Sequence, residues 1–269
     1  MNEKLRVGVI GASLYSDLRH LPALKSHPHA DTVAICDVIR DRAEEMAKKY
    51  DIPFVSTDYR EVIKKGNLDA IFVVTPDDTH HAITMDALNA GLHVMCEKPL
   101  AHNARQSREM YEKAEAVGVK HMTFFSCRWS PHYRYLKELI DEGYIGRCFD
   151  CHISLLTGWG RGGMYSWRYD RNHGNGMLSE YGAHMIDLAR WLIGDIAKVN
   201  SNLHMFLNRP EPDGDARASL YTASQARSRP GPHSPVRRSV AREMAKRSFA
   251  RSPSLIAFWR EWTRRILFR

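Results

Sequence analysis

The chain has 269 residues, 43% of them hydrophobic and 26% charged, a composition that supports a sizeable core and argues against a disordered protein. A count of five cysteines argues against a scaffold held by disulfides. No apolar run approaches the roughly 18 residues that span a bilayer, which argues against a membrane helix. Both observations favour a cytoplasmic protein. The net charge of +8 does not describe the whole chain, because residues 211–269 hold 13 of the 39 Lys and Arg but only 5 of the 31 Asp and Glu.

Short β-branched runs alternate with longer amphipathic segments through the first 125 residues. The runs predict strands over Leu5–Ile10, Thr32–Cys36, Pro53–Val55, Ala70–Thr75, His93–Cys96 and Lys120–Phe125. The amphipathic segments predict helices over Leu18–Ser26, Arg40–Tyr50, Tyr59–Lys65, Thr79–Ala90 and Asn103–Val117. Such alternation is typical of the α/β class and indicates a doubly wound parallel sheet, which we assign to a domain over residues 1–125.

The next segment, residues 126–209, has a different pattern. A linking helix is predicted over Tyr133–Glu142 and a long amphipathic helix over Met177–Ile193. Arg147–Thr157 alternates polar and apolar residues with period two, and Ala197–Phe206 resumes that pattern, which is typical of antiparallel strands with one exposed face. We therefore predict an incomplete α+β sheet domain in this segment.

Residues 210–269 form a basic tail of unrelated composition. The tail is rich in Arg, Ser, Ala and Pro and has no strand period, and only Val240–Phe249 and Leu255–Phe268 have the length and spacing for helices. So abrupt a change in amino-acid composition inside a domain is typical of out-of-frame translation or of a truncated gene. We expect the tail to pack poorly, with early trypsin cleavage between Arg217 and Arg251.

A glycine-bearing turn, VGVIGASLYS, links the first strand to the first helix. In the dinucleotide fingerprint GxGxxG, glycines let the backbone approach a pyrophosphate at the helix N-terminus. Gly11 fits the first position, whereas Ser13 and Ser16 stand at the other two. Asp37 follows the second strand, where a carboxylate either accepts the ribose hydroxyls of a dinucleotide or is a solvated turn residue. A carboxylate repels a 2′-phosphate, so NAD is favoured, although Arg40 nearby keeps NADP open.

Two further strand ends carry polar motifs, TPDDTHH after the fourth strand and CEKP after the fifth. The carboxyl ends of parallel strands lie at one edge of the sheet, where ligands bind. The residues that we predict to bind the cofactor there are Gly11, Ala12, Ser13, Leu14, Asp37, Thr75, Pro76, His80 and Glu97. Lys98 is then either a surface lysine paired with Glu97 or, beside a cofactor, a catalytic residue.

A histidine with two acidic neighbours lies in GNGMLSEYGAHMIDLARWLIG. Glu180 and His184 are spaced i,i+4, and His184 and Asp187 are spaced i,i+3, so all three share one face of a helix. A carboxylate beside a histidine orients the ring and prepares it to act as a general base. The alternative is a histidine whose hydrogen bonds are satisfied within the core.

Together these motifs resemble the Gfo/Idh/MocA oxidoreductases, named for glucose–fructose oxidoreductase and inositol dehydrogenase. The resemblance runs from Val7 to about Val199 and is carried by VGVIG, Asp37, TPDDTHHAITMDALNAGLHVMCEKPLA, LKELIDEGYIGR and the E-x-G-x-H-x-x-D helix. It implies a Rossmann domain followed by a sheet domain, NAD or NADP as cofactor, hydride transfer to or from a sugar, cyclitol or related polyol, and usually a homo-oligomer. The family's second domain normally continues through several further strands, which are missing here.

The resemblance also implies roles for single residues. Lys98 is the catalytic lysine, which hydrogen-bonds the reacting oxygen, and His184 is the catalytic histidine, which takes the hydroxyl proton. Glu180 joins the catalytic group at a position that is usually aspartate. Glu97 would pair with Lys98, and Pro99 would stiffen the turn as a cis peptide. Separately, Arg168, Tyr165 and Arg171 lie just ahead of the predicted helix, and with Asp187 they are assigned to the substrate pocket.

Three functions stay open on the sequence alone. The chain is an NAD-dependent oxidoreductase, or residues 1–125 persist as a catalytically inactive dinucleotide-binding remnant. Alternatively, the basic tail binds nucleic acid or a membrane surface, although it carries no specific reader motif. No metal site is expected, because Cys148 and Cys151, which form a CxxC, would lie on opposite faces of a strand.

Overall fold

Six parallel strands form a single sheet in the computed structural model, which describes residues 4–158, 166–170 and 172–207. The strands are β1 Leu5–Ile10, β2 Ala30–Cys36, β3 Phe54–Ser56, β4 Ala70–Val73, β5 His93–Glu97 and β6 His121–Phe124. Their order across the sheet is β3-β2-β1-β4-β5-β6, and every neighbouring pair is parallel. The doubly wound Rossmann architecture predicted from the sequence is thereby confirmed.

Helices connect the strands and continue beyond them. The α-helices in the described residues are α1 Leu21–Ser26, α2 Arg40–Tyr50, α3 Tyr59–Lys65, α4 His80–Asn89, α5 Ala104–Val117, α6 Pro131–Asp141 and α7 Ala183–Leu192. Two of them, α1 and α7, continue directly from wider π-helical turns, Ser16–His20 and Leu178–Gly182. The elements predicted within residues 5–141 are confirmed with small shifts at their ends.

The central strands are apolar on both faces because helices cover both faces of the sheet. All four residues of β4 are buried. Val9 and Phe72 belong to a hydrophobic cluster that includes residues of α1 and α2. Ile10 and Ile71, their neighbours in sequence, belong to a second cluster with residues of α3, α4 and α5. The alternation of side chains along a strand therefore divides the core into one cluster on each face.

Local interactions define where the helices begin and end. Asn103 precedes α5, and its Oδ1 accepts a hydrogen bond from the Gln106 N–H at 3.0 Å, which satisfies one of the free donors of the first turn. Asp58 caps α3 through the Arg60 N–H in the same way. Helix α5 ends at Gly118, whose φ of 75° is a left-handed conformation that glycine adopts without strain.

The strand order reverses between β1 and β4, which lie side by side at the centre of the sheet. The chain leaves β1 toward α1 on one face and leaves β4 toward α4 on the other face. Diverging connections of this kind open a crevice at the carboxyl ends of the two strands, where ligands bind. The turns that follow β1 and β4 therefore border the crevice.

The described residues divide after Ser130 into two compact units, and the second contains α6 and α7. The strands predicted over Arg147–Thr157 and Ala197–Phe206 are not formed, and large side chains there, such as Phe149 and Phe206, are exposed. Period-two alternation produces a strand only where a neighbouring segment supplies hydrogen-bond partners. In the described part of this unit, neither segment is paired as a strand.

Some predicted features lie outside the described residues. These are Tyr165 and Arg171 of the predicted substrate pocket, and the tail from residue 210 with its two predicted helices. The predicted domain boundaries after residues 125 and 209 stay predictions. Within the part of the chain that the structure describes, every helix is too short or too polar to cross a membrane.

Candidate active site

A sharp turn at Gly11 brings the end of β1 against the ends of both neighbouring strands. The Gly11 N–H donates to the Cys36 carbonyl, at the end of β2, at 2.7 Å. Gly11 has a φ of 106°, and a Cβ at this position would lie 2.3 Å from the Val74 carbonyl oxygen, just after β4. Because that neighbour is backbone and cannot give way cheaply, the turn requires glycine.

Two serines stand where the fingerprint has its other glycines, and both brace the turn from within. The Ser16 hydroxyl donates to the Gly11 carbonyl at 2.5 Å, and the Ser13 hydroxyl accepts from the Ser16 N–H at 3.1 Å. Both serines are buried. The two serines thus replace glycines of the fingerprint, and their hydroxyl groups stabilise the turn. The turn forms despite the missing glycines.

Asp37 follows β2 at the same edge of the sheet, and its carboxylate is bonded to the backbone. Oδ2 accepts from the Ala12 N–H at 2.8 Å, and Oδ1 accepts from the Ile39 N–H at 2.9 Å. The carboxylate therefore ties the glycine turn to the loop after β2. An ionised carboxylate has about four acceptor sites, so Asp37 can hold the turn and still accept ribose hydroxyls.

These features fit a bound dinucleotide. A helix begins at Leu14, directly after the turn, and the N-terminus of a helix suits a phosphate. In this first turn the Ser16 N–H is already bonded to the Ser13 hydroxyl, so the N–H groups before it are the ones that would face the phosphate. The half-buried Asp37 carboxylate stands beside the turn. The cofactor contacts assigned to Gly11, to Ala12–Leu14 and to Asp37 stay predictions, and the geometry favours them.

The loop after β4 is held by a threonine. The Thr79 hydroxyl oxygen lies 2.7 Å from the Thr75 hydroxyl and 2.7 Å from the Pro76 carbonyl. Thr75 and Pro76 are half-buried at the border of the crevice. Their position is compatible with the cofactor contact predicted for them, which stays a prediction.

His80 lies beneath this loop and is fully buried. Its Nδ1 lies 2.8 Å from the Pro99 carbonyl, and its Nε2 lies 2.9 Å from the Thr75 carbonyl. Carbonyl oxygens only accept hydrogen bonds, so both contacts together require the doubly protonated ring. Burial by itself lowers the pKa of His80, but the Cys96 sulfur, the Pro99 carbonyl and Asp77 outweigh it and raise that pKa to about 10.

The direct cofactor contact predicted for His80 does not fit this burial. None of the ring surface is exposed, and both nitrogens are occupied by protein carbonyls. His80 instead joins the loop after β4 to the loop after β5. Through this histidine the loop after β5 is fixed to the loop after β4, which borders the crevice.

Lys98 follows β5 at the carboxyl edge and is half-buried. The Lys98–Pro99 peptide bond is cis, as predicted. The backbone N–H of Lys98 donates to Oε2 of Glu97 at 3.1 Å. The main chain of the predicted catalytic lysine is therefore fixed on both sides, by the Glu97 carboxylate before it and by the His80–Pro99 contact after it.

Glu97 is buried, and its other oxygen contacts a residue that sequence analysis missed. Oε1 lies 2.7 Å from Nε2 of His20, which is fully buried in the π turn before α1. The predicted pairing of Glu97 with Lys98 is corrected accordingly, since the carboxylate contacts the His20 ring and the Lys98 backbone. A buried carboxylate needs a donor. Nothing local identified His20, 77 residues away, as that donor.

In the second unit, Arg168 and Glu180 form an ion pair. The Arg168 Nε donates to the Glu180 Oε1 at 3.0 Å, and the guanidinium also lies over the Trp167 ring, 4.5 Å from its centroid. A predicted substrate residue and a predicted catalytic residue are thus brought together. Glu180 lies in the π turn, so its offset of four from His184 does not carry the usual α-helical geometry. The prediction that Glu180 orients His184 stays a prediction.

Two further carboxylates of this unit, Asp170 and Asp187, are buried. The Asp170 Oδ1 accepts from the Asn172 N–H at 3.0 Å, and its carbonyl accepts from the Gly174 N–H at 2.8 Å, so Asp170 organises the loop ahead of α7. Asp170 was not predicted from the sequence, although an acid two residues ahead of Asn172, in a segment that ends at Gly174, is a turn signal. The roles assigned to Asp187 and to His184, which is half-buried on α7, stay predictions.

Comparison with known families identifies two matching domains. Residues 5–125 match the model GFO_IDH_MocA, described as an oxidoreductase family with an NAD-binding Rossmann fold. Residues 133–229 match the GFO/IDH/MocA C-terminal domain, so the similarity reaches beyond residue 209.

Several curated proteins resemble the chain. Levoglucosan dehydrogenase of Pseudarthrobacter phenanthrenivorans is 30% identical over 246 residues, which cover 87% of this chain and 62% of that protein. D-glucoside 3-dehydrogenase of Escherichia coli is 31% identical, with 75% of this chain and 58% of that protein covered. Inositol 2-dehydrogenase 4 of Saccharopolyspora erythraea is 29% identical, with 84% and 64% covered. The chain thus spans about three fifths of the length of these relatives.

Among solved structures, levoglucosan dehydrogenase in complex with NADH and levoglucosan superposes with a TM-score of 0.70 at 28% identity. The match covers 79% of this chain and 60% of that one. The likeness therefore extends beyond the first unit, and the matched structure contains a nicotinamide cofactor.

Proposed function

The chain belongs to the Gfo/Idh/MocA oxidoreductase family, and on this basis we propose that it is an NAD-dependent dehydrogenase of a sugar, cyclitol or related polyol. The cofactor class follows from the NAD-binding Rossmann domain over residues 5–125. NADP is the alternative cofactor, a homo-oligomer is the assembly usual for the family, and the cytoplasm is the expected compartment.

The observation that carries the proposal is the arrangement of three polar features at one edge of the sheet. The Gly11 turn follows β1, Asp37 follows β2 and Lys98 follows β5. A dinucleotide held by the first two would extend across the point where the strand order reverses, toward β4 and β5. This arrangement supports Lys98 as the residue beside the reacting carbon.

Two residues are proposed to handle the charge and the proton of the reaction. NAD, when bound, supplies the nicotinamide carbon that accepts the hydride from the substrate C–H bond. The Lys98 ammonium donates a hydrogen bond to the substrate oxygen and stabilises the negative charge that develops there as the carbonyl forms. His184 accepts the proton of the substrate hydroxyl at a ring nitrogen, and in the reverse direction it returns that proton.

A polyhydroxylated ring is the proposed substrate class. The relatives named for levoglucosan, D-glucosides and inositol act on such rings, which supports this assignment. Arg168 is proposed to bind substrate hydroxyl oxygens, together with Asp187 and Tyr165. The ion pair with Glu180 orients the Arg168 guanidinium, whose N–H groups are of the kind that hydroxyl oxygens accept from.

A titration and a substrate panel test the proposal. Calorimetry with NAD measures cofactor binding by the full chain. The panel contains levoglucosan, glucosides, inositols and linear polyols, and the absorbance of the reduced nicotinamide follows turnover. We expect NAD binding and turnover of at least one cyclic polyol. Linear polyols serve as the control for ring recognition.

Each alternative predicts a different outcome. Cofactor binding without turnover of any polyol would support the inactive dinucleotide-binding alternative. If the chain binds neither NAD nor NADP, both the proposed dehydrogenase and the inactive dinucleotide-binding alternative would be contradicted. Tight, salt-sensitive binding to DNA or to anionic vesicles, without cofactor binding, would support the basic-tail hypothesis.

A further inference from the structure

A buried histidine supports the carboxylate that precedes Lys98. His20 has no exposed surface, and its Nε2 lies 2.7 Å from Oε1 of Glu97. Aromatic rings enclose the histidine, with the centroids of Phe124 and Tyr15 at 4.8 and 5.5 Å from its own. Hydrogen bonds to charged groups are short and strong, and apolar surroundings strengthen them further. The pair therefore holds the carboxylate in one orientation.

The other oxygen of the same carboxylate holds the main chain of Lys98. Glu97 Oε2 accepts from the Lys98 N–H at 3.1 Å. Glu97 thus bridges a ring donor from the first helical segment and the backbone of the proposed catalytic lysine. If the His20 donor is removed, a buried acceptor is left unsatisfied, and the carboxylate must turn toward another donor or let water in.

His20 reaches Glu97 from a segment that also supports the cofactor turn. The π turn Ser16–His20 begins with the serine whose hydroxyl bonds the Gly11 carbonyl and ends with His20. Wider turns of this kind inside α-helices occur frequently at functional sites. The glycine turn is therefore connected to Lys98 step by step. Ser16 bonds Gly11, the π turn joins Ser16 to His20, and His20 contacts Glu97, which precedes Lys98.

We propose that His20 is a positioning residue for Lys98. It fixes the Glu97 carboxylate, and the carboxylate fixes the Lys98 backbone. The functional meaning of this link rests on the proposed dehydrogenase activity, in which Lys98 contacts the reacting oxygen. The link itself concerns the protein alone and is measurable without cofactor or substrate.

Amide hydrogen exchange of the full chain, resolved to single residues, tests the link. His20→Phe keeps an aromatic ring and removes the donor, so the Lys98 amide should exchange at least ~10-fold faster. The reference is the Val94 amide of β5, which donates to the Lys120 carbonyl at 2.9 Å and should change no more than global stability does. His20→Gln, whose side-chain amide N–H can replace the donor, should restore most of the protection.

A matched core variant separates positioning from general destabilisation. Leu24→Ala removes a buried side chain of α1, the helix that follows directly from the π turn. It should speed exchange at Lys98 and Val94 alike. In the enzyme assay, His20→Phe should lower kcat at least ~10-fold while KM changes much less. The Kd for NAD, from calorimetry, should change less than ~3-fold.

The proposal would be overturned if the exchange rate of the Lys98 amide, divided by that of the Val94 amide, is the same in His20→Phe as in the unmodified chain. A selective effect of the same size in Leu24→Ala would overturn it as well. If His20→Phe does not fold, His20→Leu removes the donor with a smaller side chain and is measured in the same way. A chain that turns over no polyol would contradict the proposed activity, and the exchange measurement would still decide the role of His20.

Discussion

At the scale of single residues, Asp37 combines two tasks that one substitution can separate. Its carboxylate holds the Ala12 and Ile39 N–H groups, and it is proposed to bind the ribose of the cofactor. The first task needs acceptor oxygens, whereas discrimination against a 2′-phosphate needs negative charge. Asparagine loses the charge and keeps one of the two acceptor oxygens, so it can retain one of the two bonds, while serine is too short for either task.

The cofactor preference of Asp37 variants should follow charge. In Asp37→Asn the preference for NAD over NADP should fall roughly tenfold, which corresponds to about 1.4 kcal/mol. Asp37→Ser should show the same loss together with a lower free energy of unfolding, because the turn loses its acceptor. Calorimetry with both cofactors measures the preference, and Asp31→Asn, an exposed site on β2, is the control. An unchanged or increased preference for NAD would remove Asp37 from the ribose site.

Lys98→Ala should separate chemistry from binding. Turnover should drop on the order of 10²–10³-fold, because the substrate oxygen loses the charge that stabilises it. NAD binding should survive, since Gly11 and Asp37 are unchanged. Steady-state kinetics and calorimetry give the two values, with Lys64→Ala, an exposed site on α3, as the control. Near-normal turnover would exclude Lys98 from the mechanism.

His184→Ala should reduce turnover by a similar amount, on the order of 10²–10⁴-fold, because no group then accepts the hydroxyl proton. The acidic limb of the pH profile should flatten as well, since the group whose protonation blocks the reaction is gone. A kcat profile over the active pH range provides the measurement. His132→Ala, at an exposed position on α6, should leave the profile unchanged. A retained acidic limb would assign the base to another residue.

At the scale of elements, the strands that are buried on both faces could be predicted from the sequence. Runs such as AIFVVT are apolar throughout, so the strands covered on both faces and their alternation with helices followed directly from the pattern. Residues 147–157 and 197–206 also have a clear period, but strand pairing depends on a neighbour elsewhere in the chain, and the prediction failed there. The contacts of His20 and His80 join elements 77 and 19 residues apart, and no local period reveals such a pair.

The contact between the loops after β4 and β5 predicts a pH effect on stability. A histidine whose pKa is raised on folding adds stability below its ordinary pKa and loses it as the pH rises through the folded value. For His80 these values are 6.5 and about 10, so the free energy of unfolding should fall between them. His80→Leu should reduce the size of this fall by at least ~1 kcal/mol.

Urea denaturation at several pH values measures the effect of His80. Groups that titrate in both proteins cancel when the two curves are subtracted. His29→Leu, at a half-buried position before β2, should keep the pH dependence of the unmodified chain. Parallel curves for His80→Leu and the unmodified chain would mean that His80 is neutral in the folded protein.

At the scale of the whole molecule, the first unit contains its own core. The buried residues of both hydrophobic clusters lie between Leu5 and Phe124, and α1 to α5 cover the two faces of the sheet. The glycine turn, Asp37 and Lys98 belong to the same unit, whereas His184 belongs to the other. Folding and cofactor binding should therefore be separable from turnover.

A fragment of residues 1–130 should fold alone and bind NAD. We expect cooperative urea unfolding and a Kd for NAD within about tenfold of the full chain, or about 1.4 kcal/mol, because the predicted cofactor residues are all present. The fragment should not turn over any polyol, since it lacks His184. Calorimetry and circular dichroism test both points, with Gly11→Val as the control that should abolish binding. Non-cooperative unfolding would mean that the second unit completes the core.

The division after Ser130 also bears on how such genes can be recombined. A crossover near codon 130 would exchange the downstream half and keep the sheet, its two clusters and the glycine turn from one parent. Hybrids would inherit cofactor preference from the upstream parent and substrate range from the downstream parent. A crossover between β4 and β5 would instead draw His20 and Glu97 from different parents. Selection among recombinants should therefore favour junctions near codon 130 over junctions within the sheet.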